Sequence, residues 1–146
     1  MNRVRFWGTR GSLPVALTAA DVRAKVLAAL RGAAGRDLAS EDALAAYVDS
    51  LDFAVAGTYG GCSPCVEIVT GGPDTILCDL GSGARACGQA ALARFGAATP
   101  RTYHVFMSHL HWDHLMGFPL FTPAYLPGQR IRIYGAHAEL ESAFRR

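Results

Sequence analysis

Four side chains that can bind a metal ion lie within six residues of one another, at His109, His111, Asp113 and His114. Imidazole and carboxylate groups are the usual ligands of zinc and similar divalent metals. In an extended segment, side chains at positions i and i+2 point to the same side, so His109 and His111 can bind one ion. If a short helix begins next, Asp113 and His114 turn towards a second ion, about 3.5–4 Å from the first. The spacing therefore predicts a metal site rather than a polar loop.

The elements around this segment indicate how it is positioned. The apolar run 103–107 precedes it and is typical of a strand covered on both faces. Asp79 directly follows a predicted strand at 75–78. We expect it to support the site by contacting a metal ligand. Arg10 lies in a glycine-rich loop after the first strand and is a candidate substrate contact.

The remaining patterns predict a mixed α+β chain. Val4 and Phe6 alternate with polar residues, as in a strand with one buried face. Apolar residues at helical spacing predict two helices within 18–51, the first of them opened by a Thr18 and Asp21 capping box. Two strands joined by a glycine-rich turn, at 66–69 and 75–78, and an alternating strand at 130–134 complete the pattern.

Composition excludes several classes of function. The 146 residues suit one globular domain, and their net charge of +2, with a single lysine, gives no sign of a nucleic-acid surface. No run of about 18 apolar residues occurs, so we expect no membrane span. The first residues run directly into a strand pattern instead of a hydrophobic signal core, and we therefore expect a cytoplasmic protein.

Several other side chains have a structural interpretation. Cys62 and Cys65 lack a second pair at zinc-site spacing and are expected to be buried or half-buried thiols. Trp112, between the ligands, is expected to be an aromatic wedge in the core, with contact to a substrate as the alternative. His137 precedes a predicted helix and is expected to begin it rather than to bind metal.

The histidine segment resembles the signature of the metallo-β-lactamase superfamily, His-x-His-x-Asp-His-x-x-Gly, from His109 to Gly117. Further stretches are similar to the phosphodiesterase branch that includes ribonuclease Z-like proteins. These stretches are residues 6–12, the turn 59–61, Asp79 and the pair Phe118 and Pro119. The similarity spans most of the chain except the helices of 18–51.

The resemblance implies a four-layer αββα sandwich, of which residues 1–146 form roughly the N-terminal half, with 18–51 as a helical-hairpin insertion. It also implies a dinuclear zinc hydrolase, with Mn²⁺ or Fe²⁺ as alternative metals. His109 and His111 would hold the first ion and Asp113 and His114 the second, and Asp113 would also orient the nucleophile. A metal-bound hydroxide would then attack a phosphodiester, in a small molecule or a nucleotide.

Two alternatives to this function stay open. The same metal centre could hydrolyse a thioester or a lactone, because the signature specifies the nucleophile and not the electrophile. In the resembled family a further histidine, a bridging aspartate and a last histidine come from the half of the fold that follows. The chain could therefore be a truncated, catalytically incomplete metal-binding module. A nucleic-acid substrate and a homodimer are compatible with the sequence but are not indicated by it.

Overall fold

The computed structural model describes residues 2–145 and shows an α+β fold with one mixed five-stranded sheet, as the sequence predicts. The strands are β1 (Arg3–Gly8), β2 (Cys65–Val69), β3 (Thr75–Cys78), β4 (Thr102–Phe106) and β5 (Arg130–Tyr134). The helices are α1 (Ala19–Ala33), α2 (Glu41–Asp49), α3 (Phe53–Ala56), α4 (Ala84–Phe95), α5 (Trp112–Leu115) and α6 (Leu140–Phe144). Across the described residues, none of these helices is both long enough and apolar enough to cross a bilayer.

The strands follow their sequence order across the sheet, but the direction of pairing changes in the middle. β1 pairs with β2 and β2 with β3 in antiparallel fashion. Residues 9–64, with three helices, lie between β1 and β2, whereas a turn of five residues joins β2 to β3. β3, β4 and β5 are parallel, and α4 forms the crossover between the first two of them. The loops that leave the carboxyl ends of β3, β4 and β5 therefore meet at one edge of the sheet.

The chain divides into two compact units. The first unit contains the sheet and comprises residues up to Val15 together with those from Gly60 onward. The second unit, Ala16–Tyr59, contains α1, α2 and α3. It begins earlier in the sequence and ends later than the 18–51 segment predicted as an insertion. Its first helix begins with the predicted capping box, in which Asp21 N donates to Thr18 Oγ1 over 3.2 Å and Thr18 N donates to Asp21 Oδ2 over 2.9 Å.

The hydrophobic core lies on one face of the sheet, beneath α4. Leu77 of β3 and Tyr103 and Val105 of β4 are fully buried there. Ala84, Cys87 and Ala91 pack onto them from the helix, and Phe121 packs edge-on against Tyr103 with ring centroids 5.1 Å apart. Cys62 is half-buried and Cys65 buried, both as free thiols, which agrees with the sequence-based expectation.

The other face of the sheet is open, and this corrects two sequence-based predictions. Val4 and Phe6 were predicted to be buried but are 57% and 67% exposed. The 103–107 strand was predicted to be covered on both faces, yet Phe106 is 47% exposed. Residue registers place these side chains on one face, together with Ile68, Val66, Ile76, Cys78, His104, Arg132 and Tyr134.

Buried polar contacts explain why β1 turns its more polar side inward. Glu67 of β2 is only 3% exposed and accepts a hydrogen bond from Trp7 Nε1 over 3.1 Å. The same carboxylate forms ion pairs with Arg5 and, from α4, with Arg94. A buried carboxylate requires such partners, and they must lie on its side of the sheet. Val4 and Phe6 therefore point to the open face.

Candidate metal centre

The histidine segment lies at the carboxyl edge of the parallel strands, directly after β4. Backbone hydrogen bonds attach it to the loop that follows β3: Leu80 N donates to His114 O over 2.9 Å, and Gly117 N donates to Leu80 O over 2.9 Å. α5 begins at Trp112, so Asp113 lies in its first turn, as the sequence predicts. Two neighbouring loops of the sheet thus form one platform.

Gly117 is the point of closest approach between these loops. A Cβ atom at this position would lie 1.8 Å from Gly81 O and 2.9 Å from Leu80 O, both backbone atoms. No side chain fits at such distances, and the neighbouring backbone has no flexible end that could move away. The last position of the signature is therefore a packing requirement of the site.

Asp79 connects the two loops through its carboxylate. Oδ1 accepts a hydrogen bond from Ser108 N, and Oδ2 accepts one from Ser108 Oγ, each over 2.8 Å. Oδ2 also lies 2.8 Å from His114 Nδ1. A carboxylate on one ring nitrogen favours the tautomer whose other nitrogen, here Nε2, carries a free lone pair for a metal.

Two non-glycine residues of the described chain adopt the left-handed backbone conformation, and both touch this site. Asp79 has φ of 61° and Ser12 has φ of 57°. Ser12 N donates a hydrogen bond to Asp113 Oδ2 over 2.9 Å, which brings the Gly8–Ser12 loop against the ligand segment. Strained backbone of this kind concentrates at functional sites, where neighbouring contacts maintain it.

Asp113 is held as a carboxylate. Its side chain is among the few buried charged groups, and burial by itself raises its pKa. The hydrogen bond from the Ser12 backbone and the neighbouring His114 and His109 outweigh that effect, so the pKa of Asp113 lies below its ordinary value. The group is therefore ionised at neutral pH and available as a ligand.

The three imidazoles of the segment are clustered. The ring of His109 lies 4.5 Å from that of His111 and 3.9 Å from that of His114, measured between centroids. Ser108 Oγ lies 2.9 Å from His109 Nδ1 and 3.3 Å from His114 Nδ1. Ser108 thus contacts two candidate ligands. Neither Ser108 nor Ser12 is among the site residues predicted from the sequence. Their adjacency to the signature and to the glycine-rich loop was the available signal.

The donor atoms fit zinc in part. His114 Nε2 and Asp113 Oδ2 are 3.3 Å apart. Two ligand atoms about 2.0–2.1 Å from one tetrahedral zinc ion are separated by about 3.3 Å. Among residues 2–145, however, no group of three or more histidine, cysteine, aspartate or glutamate side chains has the arrangement of a metal site. The structure thus brings one ligand pair to zinc-binding distance and places the other two imidazoles beside it.

Three further residues lie at or near the edge of this cluster. Arg10 is not directed at the histidines: its Nε donates to Gly60 O over 3.2 Å, and its backbone N donates to Cys62 O. Trp112 is 66% exposed, so the prediction that it packs in the core is wrong. As part of the short α5 it projects outward while Asp113 turns inward. His137 Nε2 lies 3.4 Å from Ser108 O, at the rim.

Comparisons of the chain with protein-family models, with curated proteins and with solved structures gave no match.

Proposed function

We propose that this protein is a metal-dependent hydrolase with a metallo-β-lactamase-like centre, acting on phosphodiesters in the cytoplasm. The observation that carries the proposal is the chain of contacts from Asp79 through His114 to Asp113. A carboxylate orients an imidazole, whose other nitrogen faces a second carboxylate at the separation that one zinc ion requires. Asp113 and His114 also occupy the matching positions of the signature, and Asp79 is one of the residues in which the chain resembles the phosphodiesterase branch.

The open face of the sheet supports the finer fold proposal, a four-layer αββα sandwich. In such a sandwich two sheets pack face to face between helical layers. The sheet here has a helix on one face, while the exposed Val4, Phe6 and Phe106 lie on the other. A second sheet would cover that apolar face.

The chain's own residues would act as follows. His109 and His111 would hold one zinc ion, and Asp113 and His114 a second. Asp79 keeps Nε2 of His114 free to bind. Zinc at such a site lowers the pKa of a water molecule, which makes it a nucleophile near neutral pH. Asp113 would accept a hydrogen bond from the attacking water and so orient it.

A phosphodiester is the proposed substrate class because the flanking stretches resemble the phosphodiesterase branch. Arg10 would contact a phosphate oxygen after its side chain leaves Gly60 O, which requires only the loss of one exposed hydrogen bond. A substrate panel that includes a thioester and a lactone tests this assignment, since all three substrates can be attacked by the same nucleophile.

The test is hydrolysis of an aryl phosphodiester by the zinc-loaded protein, compared with the His111→Ala variant. We expect at least a 100-fold loss of rate in the variant. The control is His104→Ala, because His104 lies on the open sheet face and contacts Tyr134 and Asp74 instead of the cluster. Equal rates for the protein and the His111 variant would refute the proposal. Zinc binding without any hydrolysis would refute its enzymatic part and leave a metal-binding module.

A further inference from the structure

A cavity of about 200 Å³ lies at the edge of the sheet opposite the histidines, where β3 begins and α4 ends. Thr75, the first residue of β3, lines it together with Arg101, which immediately precedes β4. Asp79 and the ligand segment follow the other ends of these strands. Four to five residues of strand therefore separate the cavity from the candidate metal centre, which is about 15 Å.

Two buried polar atoms of the residues that line this cavity lack hydrogen-bond partners within the described part of the chain. One is Oγ1 of Thr75, a residue that is only 3% exposed. The other is Nε of Arg101. Buried polar groups are nearly always paired, so a donor and a hydroxyl without partners beside one cavity indicate a ligand that pairs with them.

Arg101 is held in place by an aromatic ring. Its guanidinium carbon lies 3.4 Å from the centroid of Phe95, at the end of α4. Stacking of this kind uses the face of the guanidinium group, and its N–H bonds remain in the plane, free to bind an acceptor. The geometry suits an oxyanion, which presents several acceptor oxygens to such a donor.

The charges around the cavity favour an anion. Of the two acidic residues that line it, Glu67 pairs with both Arg5 and Arg94, and Asp74 contributes one negative charge. Arg3 and Arg101 also line the cavity, and neither forms an ion pair with any residue between 2 and 145. A net positive charge therefore remains at this end of the sheet.

A larger cavity adjoins the first and extends the same chemistry. It measures about 620 Å³ and shares Asp74 and Arg101 with the smaller one. Gln129 lines it, and its Nε2 donates to two backbone carbonyls while its Oε1 is buried without a partner in the described structure. Because Oε1 can only accept, a ligand that reaches it must carry a hydroxyl or an amine.

We infer that this edge of the sheet binds a small oxyanion, a phosphate or a carboxylate, between Arg101 and Thr75. The anion accepts a hydrogen bond from Arg101 Nε and one from the Thr75 hydroxyl. A hydroxyl or amine on the same molecule donates to Gln129 in the adjoining cavity. The inference does not depend on the proposed hydrolase function, since it uses no residue of the metal centre.

The experiment is calorimetric titration of inorganic phosphate, and separately of acetate, into protein kept metal-free with a chelator. All proteins carry His111→Ala, so that binding at the metal centre does not contribute. The test variants are Arg101→Gln and Thr75→Val, and the control is Arg132→Gln. Arg132 is an exposed arginine of β5 on the open face. Thr75→Val keeps the β-branched shape of the strand residue and removes only the hydroxyl.

We expect phosphate affinity to fall at least tenfold in both test variants and to stay within twofold in the control. We also expect Thr75→Val to unfold at the same temperature as the parent or a higher one when no anion is present, because it removes an unpaired buried hydroxyl. Acetate binding with the same dependence on Arg101 would assign the site to carboxylates. Absence of binding for both anions, or equal losses in all three variants, would overturn the inference.

Discussion

Replacement of Asp79 by asparagine tests whether this residue sets the tautomer of His114. Asparagine tolerates the left-handed backbone found at this position and has the shape of aspartate. Its oxygen can still accept the hydrogen bond from Ser108 N, which leaves its NH₂ group directed at His114 Nδ1. That nitrogen must then accept a hydrogen bond, and the ring proton moves to Nε2.

The expected effect is a loss of zinc affinity. Protonated Nε2 cannot bind a metal, and Nε2 is the atom that lies 3.3 Å from Asp113 Oδ2. Loss of a carboxylate that orients a ligating histidine weakens metal binding roughly 10–100-fold, or about 1.4–2.7 kcal/mol. We expect the Asp79→Asn variant to fall within that range.

Two measurements check this expectation. Competition with a chromophoric chelator gives the zinc affinity, and ¹⁵N chemical shifts of His114 in the metal-free protein report the tautomer. The matched control is Asp74→Asn, which removes an exposed carboxylate that also faces a histidine nitrogen, at the opposite edge of the sheet. Zinc affinity within twofold of the parent, or an unchanged tautomer in Asp79→Asn, would refute the reasoning.

Three further predictions concern packing and helix capping. Gly117→Ala must push Gly81 O away by about 1.6 Å to reach ordinary contact, so we expect a loss of about 3 kcal/mol or more in urea unfolding. The control for this substitution is Gly11→Ala, whose added Cβ meets no atom within 4 Å and should change stability little. Thr18→Ala removes the N-cap of α1 and should cost about 1 kcal/mol, measured by the same unfolding experiment. The side-chain and backbone hydrogen bonds of Thr18 hold the pKa of Asp21 below its ordinary value of 3.8. The contribution of the Asp21 carboxylate to stability is therefore complete above pH 3.8 and is lost as the pH falls through the lowered pKa. Helicity measured against pH should be higher in the parent than in the Asp21→Asn variant near neutral pH, and this difference should disappear in acid.

Local features of the fold were predictable from the sequence. The capping box at Thr18, the short helix at Asp113 and the strand before the histidines follow from neighbouring residues, because caps and hydrophobic periods are local properties. Which face of a strand is buried is not local. The alternation at Val4 and Phe6 gives the period, but buried Glu67 and its partners decide which face turns inward.

The sequence by itself determined the set of candidate ligands, since four metal-binding side chains in six residues need no long-range information. Only the tertiary structure decided how they are supported. The contact between Ser12 and Asp113 spans 101 residues, and that between Asp79 and His114 spans 35. Both exist because β1, β3 and β4 run in the same direction and bring their carboxyl ends to one edge of the sheet, a consequence of chain topology that residue types and spacing do not encode.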